Sequence, residues 1–312
     1  MKILVTGGAG FIGSHVVDAY IETGHEVIIV DDLSTGSGRN VHPDAMFHPI
    51  DIRSLADARS SCALEHVFRE HEPDVVSHHA AQVSVRASIS SPARDAKINV
   101  IGALNVLECC RKYGVERVIY ASSGGTIYGE PVYLPCDETH PTRPISPYGV
   151  SKFAVEQYVR AYYAMYGIGY TILRYGNVYG PRQSPHGEAG VVAIFADQML
   201  RGERPTINGT GLQERDFVHV SDCVRANLAA LDAPCRAYNV SSGHETSVRR
   251  IFELLRAATG YRGGAAHGPA RAGEVLRIFL DIERAREDLG WEPRIGLREG
   301  LEQTVREMRD GD

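Results

Sequence analysis

The heptapeptide SPYGVSK, residues 146–152, sets Tyr148 and Lys152 four positions apart with Gly149 directly after the tyrosine. Residues at this spacing share a helix face, so the two side chains can meet if the segment is helical. Ser146 is a natural N-cap and Pro147 a natural first helical residue, which places Tyr148 in the first turn. A phenol has a pKa of about 10, so making the phenolate at pH 7 costs roughly 4 kcal/mol. A lysine ammonium and the positive end of a helix both lower that cost. The pair could therefore work as a general base and its electrostatic support. Spacing alone does not decide this, because tyrosine and lysine at i, i+4 also occur on ordinary amphipathic helices.

A second motif changes the reading. In VTGGAGFIGSH, Gly7, Gly10 and Gly13 are spaced G-x-x-G-x-x-G, directly after an apolar strand pattern and at the start of a helical one. Glycines so placed allow a tight turn and close approach of the backbone to a pyrophosphate at a helix N-terminus. Asp31 ends the next strand pattern, VIIVDD, where a carboxylate accepts hydrogen bonds from ribose hydroxyls. It would also repel a 2′-phosphate, so NAD is favoured over NADP. Asp51, at the end of a third short strand in HPIDIR, is placed to meet the adenine amino group. With such a cofactor bound, its nicotinamide cation would further lower the pKa of Tyr148, and Lys152 could hold the nicotinamide ribose.

These residues need elements to position them. KILVT, EVIIVD, DVVSHH, RVIYAS and YTILRYG read as strands whose near-continuous hydrophobicity suits a parallel sheet covered on both faces. Helix-length segments lie between them, FIGSHVVDAYIETG, SCALEHVFREHE and INVIGALNVLECCRKYG. The alternation predicts an α/β fold, a doubly wound parallel sheet of the Rossmann kind. After about Gly176, Gly- and Pro-rich loops predict a second, smaller α/β substrate domain. The expected division is 1–175 for dinucleotide binding and 176–312 for substrate, with part of 213–240 returning to the first domain.

The 312 residues carry a net charge of −6, with 43% hydrophobic and 23% charged residues. This balance excludes a basic nucleic-acid surface, so an anionic ligand must be met by a few placed arginines and backbone N–H groups. No apolar run approaches the ~20 residues of a membrane span. MKILVTGGAG reaches glycines too soon for a secretory signal, and a cytoplasmic location is expected. The six cysteines form no C-x-x-C pair and read as reduced thiols. The thirteen histidines show no ligand spacing, so no metal is expected.

TGGAGFIG, HHAAQVSV, ASSGGTIYGE, SPYGVSK, LRYGNVYGPRQ and RDFVHVSD follow in this order over nearly the whole chain. The sequence resembles the extended short-chain dehydrogenase/reductases, in their nucleotide-sugar epimerase/dehydratase branch, and is most similar there to the UDP-glucose 4-epimerases. The resemblance implies that Phe11, Ile12, Asp31, Asp32, Leu33, Ser34, Thr35 and Gly36 help to line an NAD site. It adds Asp51, Ile52, Ala80, Ala81, Gln82, Asn99, Tyr148, Lys152 and Tyr175. For the nucleotide sugar it implies Thr126, Asn177, Gly190, Val191, Arg215, Arg271 and Glu274, the arginines suiting a diphosphate. Ile278 is the expected influence on pocket width.

The implied reaction is inversion at sugar C4 through a transient 4-keto sugar, with Tyr148 as base. A 4,6-dehydratase would need an Asp-Glu pair where this chain has Gly124 and Gly125. A UDP-uronate epimerase or decarboxylase, and a non-enzymatic dinucleotide-binding regulator, are the alternatives. Relatives place a hydroxyl residue at the position matching Gly124. Ser123 is the first choice to replace it, because the two glycines let the strand end turn; Ser122 follows on strand parity, and Thr126 is third. A homodimer is also implied, with Val100, Leu104 and Leu107 forming one apolar stripe and Val155, Tyr158, Val159 and Tyr162 another.

Overall fold

A computed structural model describes residues 1–54, 63–185, 190–270 and 275–310. The chain opens with β1 (Lys2–Thr6), α1 (Phe11–Glu22), β2 (Glu26–Val30) and β3 (Met46–His48). Helix α2 (Ala63–His71) leads to β4 (Val75–His78). The short helices α3 (Val85–Ser90) and α4 (Pro92–Ala96) then pass through a π-helical turn, Lys97–Ile101, into α5 (Gly102–Lys112). Strand β5 (Arg117–Ser123) runs straight into the single turn α6 (Gly124–Ile127), followed by α7 (Pro147–Tyr166) and β6 (Gly169–Tyr175).

The remainder comprises β7 (Asn177–Tyr179), α8 (Val191–Leu200), β8 (Thr206–Asn208), β9 (Glu214–His219) and α9 (Val220–Ala229). It closes with β10 (Ala237–Val240), β11 (Glu245–Ser247), α10 (Val248–Thr259), β12 (Ala266–Gly268), α11 (Glu283–Leu289) and α12 (Leu297–Asp310).

Seven strands form one parallel sheet in the order β3-β2-β1-β4-β5-β6-β10. Its direction of winding reverses between β1 and β4, and the carboxyl ends of those strands are where such sheets bind ligands. Both faces are covered, since Ile3, Val5 and Ile29 belong to one apolar cluster and Leu4, Ile28 and Val30 to the other. This is why the strands read as continuous rather than alternating apolar runs. Strand β10 pairs with β6, α9 packs against α1, and Trp291 is buried in the same cluster as Ile3. Residues from beyond position 176 thus complete the large sheet and its covering layer. The other strands make a sheet β11-β9-β7 and a pair β12-β8, packed with α8, α10 and α12 around Phe195, Phe252 and Leu301.

Helix α7 has the ends its sequence requires. The Ser146 side chain accepts from Gly149 N at 3.1 Å, Pro147 is the first helical residue, and Gly167 ends the helix at φ 76°. The two apolar stripes need correcting as a dimer face. Leu107, Val155, Val159 and Tyr162 are buried against the sheet, with Val100 and Leu104 half-buried beside them. Of those seven residues Tyr158 is the exposed one, at 41%, and the exposed large apolar and aromatic residues near it in sequence are Val150, Tyr163, Met165 and Tyr166.

Candidate active site

The glycine loop is a cradle whose shape depends on missing side chains. Gly7 holds φ 73°, and a Cβ there would lie 2.6 Å from Ala80 N. A Cβ on Gly13 would lie 2.1 Å from Gly7 O, which locks the first turn of α1 onto the loop. Helix α1 starts after Gly10 with no side-chain cap, so its first N–H groups, from Phe11 onward, are offered to a ligand. Asp31 closes the cradle, its carboxylate accepting from Ala9 N at 3.0 Å and Leu33 N at 2.8 Å. Burial raises the pKa of Asp31, and these two hydrogen bonds oppose the rise. Asp32, Leu33, Ser34 and Thr35 form an exposed rim, and Gly36 sits where a Cβ would be 2.9 Å from Ala9.

Asp51 is gripped by Arg53, whose Nε lies 2.8 Å from both carboxylate oxygens, and that bond lowers the Asp51 pKa. Ile52 is buried, and its side chain fills the space a Cβ on Gly102 would need. Ala80 N donates to Thr6 Oγ1 at 3.3 Å, bringing the start of the segment Ala80–Gln82 over the end of β1. Asn99, expected on the cofactor side, supports the segment Ala80–Gln82. Its amide accepts from Gln82 N at 2.8 Å and donates to Gln82 O at 2.9 Å, leaving it buried behind that segment. Tyr175 is corrected, being packed in the core with its hydroxyl accepting from Asn227 Nδ2 at 2.7 Å.

Tyr148 and Lys152 are both buried, at 9% and 4% exposure. The Lys152 ammonium donates to Ala121 O at 2.8 Å and lies 5.1 Å from the Tyr120 ring centre and 5.9 Å from that of Tyr148. Burial lowers the Lys152 pKa to about 8, while the charges of Asp95 and Glu156 oppose the fall. Burial pushes the Tyr148 phenol up; a hydrogen bond with the Ser123 side chain opposes this and the Asp95 charge adds to it.

The neighbouring hydroxyls have different partners. The Ser123 side chain acts on Tyr148 by lowering its pKa. Ser122 is corrected out of the catalytic set, because its hydroxyl donates to Glu156 at 2.6 Å. Glu156 in turn takes a two-pronged ion pair from Arg174, at 3.0 and 2.6 Å, and Arg174 reaches Tyr128 at 3.0 Å. A Cβ on Gly124 would lie 2.5 Å from Leu280 Cδ1, so position 124 points into an apolar cluster and its missing hydroxyl leaves no gap beside Tyr148. Thr126 Oγ1 is buried without a hydrogen-bond partner among the described residues.

The sugar-side residues lie on three separate elements. Asn177 is exposed on β7, its Oδ1 3.5 Å from where a Cβ on Gly125 would be. Gly190 and Val191 begin α8, whose N-terminus again has no side-chain cap. Arg215, on β9, donates to Glu214 O at 2.8 Å. Arg271 and Glu274 lie outside the described residues, as does Cys62. Ile278 is 2% exposed and packs with Ile127, Tyr128 and Cys136. Among the described residues no three His, Cys, Asp or Glu side chains gather to hold a metal ion, and no helix is long and apolar enough to cross a membrane.

Sequence reasoning missed Glu156 and Asp95. Glu156 had a signal, since it continues the Tyr148–Lys152 spacing by one more turn.

A doubly wound sheet with an open glycine cradle beside a buried tyrosine–lysine pair defines an extended short-chain dehydrogenase/reductase. Residues 3–241 match the NAD dependent epimerase/dehydratase family, and the chain belongs to that family. It is 41% identical to the UDP-glucose 4-epimerase of Mycolicibacterium smegmatis over 99% of both chains. The structure of UDP-glucose 4-epimerase from Thermotoga maritima with UDP-glucose superposes with a TM-score of 0.96 at 49% identity, covering 100% of this chain and 99% of that one. The Thermus thermophilus UDP-glucose 4-epimerase in complex with NAD gives 0.94 at 43% identity, with both chains fully covered. The cradle fits NAD, because its glycines leave open the path to bare helix N–H groups and Asp31 stands at the strand end facing that loop.

Proposed function

We propose that this chain is an NAD-dependent nucleotide-sugar 4-epimerase, an isomerase that interconverts UDP-glucose and UDP-galactose. The observation that carries the reading is the buried Tyr148–Lys152 pair, with glycines where a dehydratase would need its acids. NAD, held by the N–H groups at the start of α1 and by Asp31, would supply the acceptor and donor of hydride.

The chain's own residues handle the proton and the orientation. Tyr148 takes the proton of the sugar 4-hydroxyl, and the Ser123 side chain helps to lower the pKa of the phenol. Lys152 stabilises the phenolate by its charge. The bare N-terminus of α8 and the Arg215 guanidinium suit the diphosphate, so the sugar is anchored at one end and can present either face. Tyr148 then returns the proton to the opposite alcohol.

Incubation with UDP-glucose, UDP-galactose and UDP-glucuronate, followed by NMR of the products, tests the reading. Interconversion of the first two is expected. Conversion of UDP-glucuronate alone would place the chain among uronate epimerases or decarboxylases, and no conversion of any would favour a binding protein. The same reading includes a homodimer, supported by the exposed Ile101, Tyr158 and Met165 at the surface of α7 and the turn before α5. Light scattering should give twice the 34.1 kDa chain mass, and a monomer at micromolar concentration would contradict it.

A further inference from the structure

Asp95 is 1% exposed, on α4, and each of its carboxylate oxygens has a defined task. Oδ1 accepts from Gln82 Nε2 at 2.8 Å and from Asn99 Nδ2 at 3.0 Å. Oδ2 accepts from the Ser151 hydroxyl at 2.6 Å. Gln82 belongs to the cofactor segment, Asn99 supports it, and Ser151 is the residue before Lys152. A single buried carboxylate therefore joins the wall of the cofactor site to the catalytic helix.

The three donors are all uncharged, which distinguishes Asp95 from the other nearby carboxylate. Glu156 is matched by the guanidinium of Arg174 in a buried two-pronged pair. The other titratable groups around Lys152 carry no compensating charge. Tyr120 and Tyr148 are phenols whose pKa values burial raises, and His78 and His79, on and just after β4, are held neutral by burial with pKa values of about 3. The Lys152 ammonium is buried with one backbone carbonyl and two aromatic rings as its close partners. A buried cation needs a counter-charge.

We propose that Asp95 is a positioning residue for this reaction, tying the cofactor segment to the catalytic helix and placing a buried negative charge against the residue next to Lys152. The proposal rests on the general-base role of Tyr148. Asp95 acts on Tyr148 and Lys152 in the same direction, because its charge raises both pKa values against or alongside the dominant effect of burial. Removing the charge must lower both.

Asp95→Asn separates charge from architecture. An amide oxygen at the Oδ1 position still accepts from Gln82 and Asn99, and an amide nitrogen at Oδ2 can donate to Ser151, whose hydroxyl rotates to accept. The holoprotein variant should keep its bound NAD, measured after denaturation. Both limbs of its pH–rate profile should move toward lower pH. The loss of rate between the optimum and pH 9 should exceed that of the wild type by about threefold or more, tenfold corresponding to one pKa unit. The tyrosinate step in an ultraviolet difference titration, assigned by its absence in Tyr148→Phe, should move down as well. Ser151→Ala keeps the charge and should lower the rate without shifting either limb.

An Asp95→Asn profile that overlays the wild type after scaling, with an unmoved tyrosinate step, would overturn the proposal. If that variant does not fold, Asp95→Glu decides: it keeps the charge, so unshifted limbs at reduced rate support the proposal and shifted limbs sink it. Full activity in Tyr148→Phe would instead mean that the general-base reading itself had failed.

Discussion

The cofactor side and the sugar side of this molecule are built differently. The cofactor side is assembled largely from contiguous chain, with β1, the glycine loop, α1 and the end of β2 lying within the first 36 residues. Its shaping side chains are paired before any ligand arrives, with Asp31 holding the loop at Ala9 and Asn99 and Asp95 holding Gln82, while the first N–H groups of α1 stay open. The proposed sugar side would draw Asn177, Gly190, Val191 and Arg215 from β7, the start of α8 and β9, with long connections between them. At the junction, Thr126 Oγ1 is buried without a partner among the described residues. A preformed cofactor cradle suits a molecule retained through many turnovers, while an incompletely paired sugar site suits one that must be bound, turned and released.

The largest expected effect falls where the two sides meet. Tyr148→Phe removes the proton acceptor and should lower turnover by about 10²–10⁴-fold while leaving fold and bound NAD intact, as circular dichroism and cofactor assay would show. Near-normal turnover would dissolve the junction as a catalytic site. Next is Glu156→Ala, which leaves the Arg174 guanidinium buried and unpaired; a loss of roughly 3–5 kcal/mol in unfolding free energy is expected from denaturant titration. A loss below 1 kcal/mol would mean that this region is not prepaired as described.

Gly13→Ala addresses the cradle. Its Cβ would collide with Gly7 O, so NAD should be absent from the purified variant and the melting temperature should fall. Copurification at wild-type stoichiometry would break the argument from shape. The smallest effects separate two adjacent hydroxyls. Ser123→Ala should lower turnover by about tenfold through loss of the hydroxyl that lowers the phenol's pKa, at ~1.4 kcal/mol per decade. Ser122→Ala should instead lower stability by about 1 kcal/mol with turnover nearly unchanged, since it loosens Glu156. The reverse pattern would exchange their roles.

Legibility in the sequence follows the same division. The glycine cradle and Asp31 could be read because a tight turn and a strand end impose local demands on residue type. Strand parity alone favoured Ser122 over Ser123, and it could not show that the Ser122 hydroxyl is taken up by Glu156 in the folded chain. The stripes of α5 and α7 were readable as apolar but not as inward-facing, because α7 carries apolar residues on both its buried and exposed sides. Asp95 and Glu156 were hidden by the ordinary rule that charged residues lie outside, which fails where a buried partner exists. Asn99 looked like a ligand contact, yet its amide is occupied by the backbone of Gln82. The sugar-side residues rested on resemblance, since isolated positions on short elements leave no local pattern.

The central claim is that the hydrogen taken from sugar C4 returns to the same carbon on its opposite face. Purified protein, with no added cofactor, should be given UDP-galactose carrying deuterium at C4 and followed by NMR. The account predicts UDP-glucose with the deuterium still at C4 and no net NADH. Loss of the label to solvent, or stoichiometric NADH with an oxidised sugar, would contradict it.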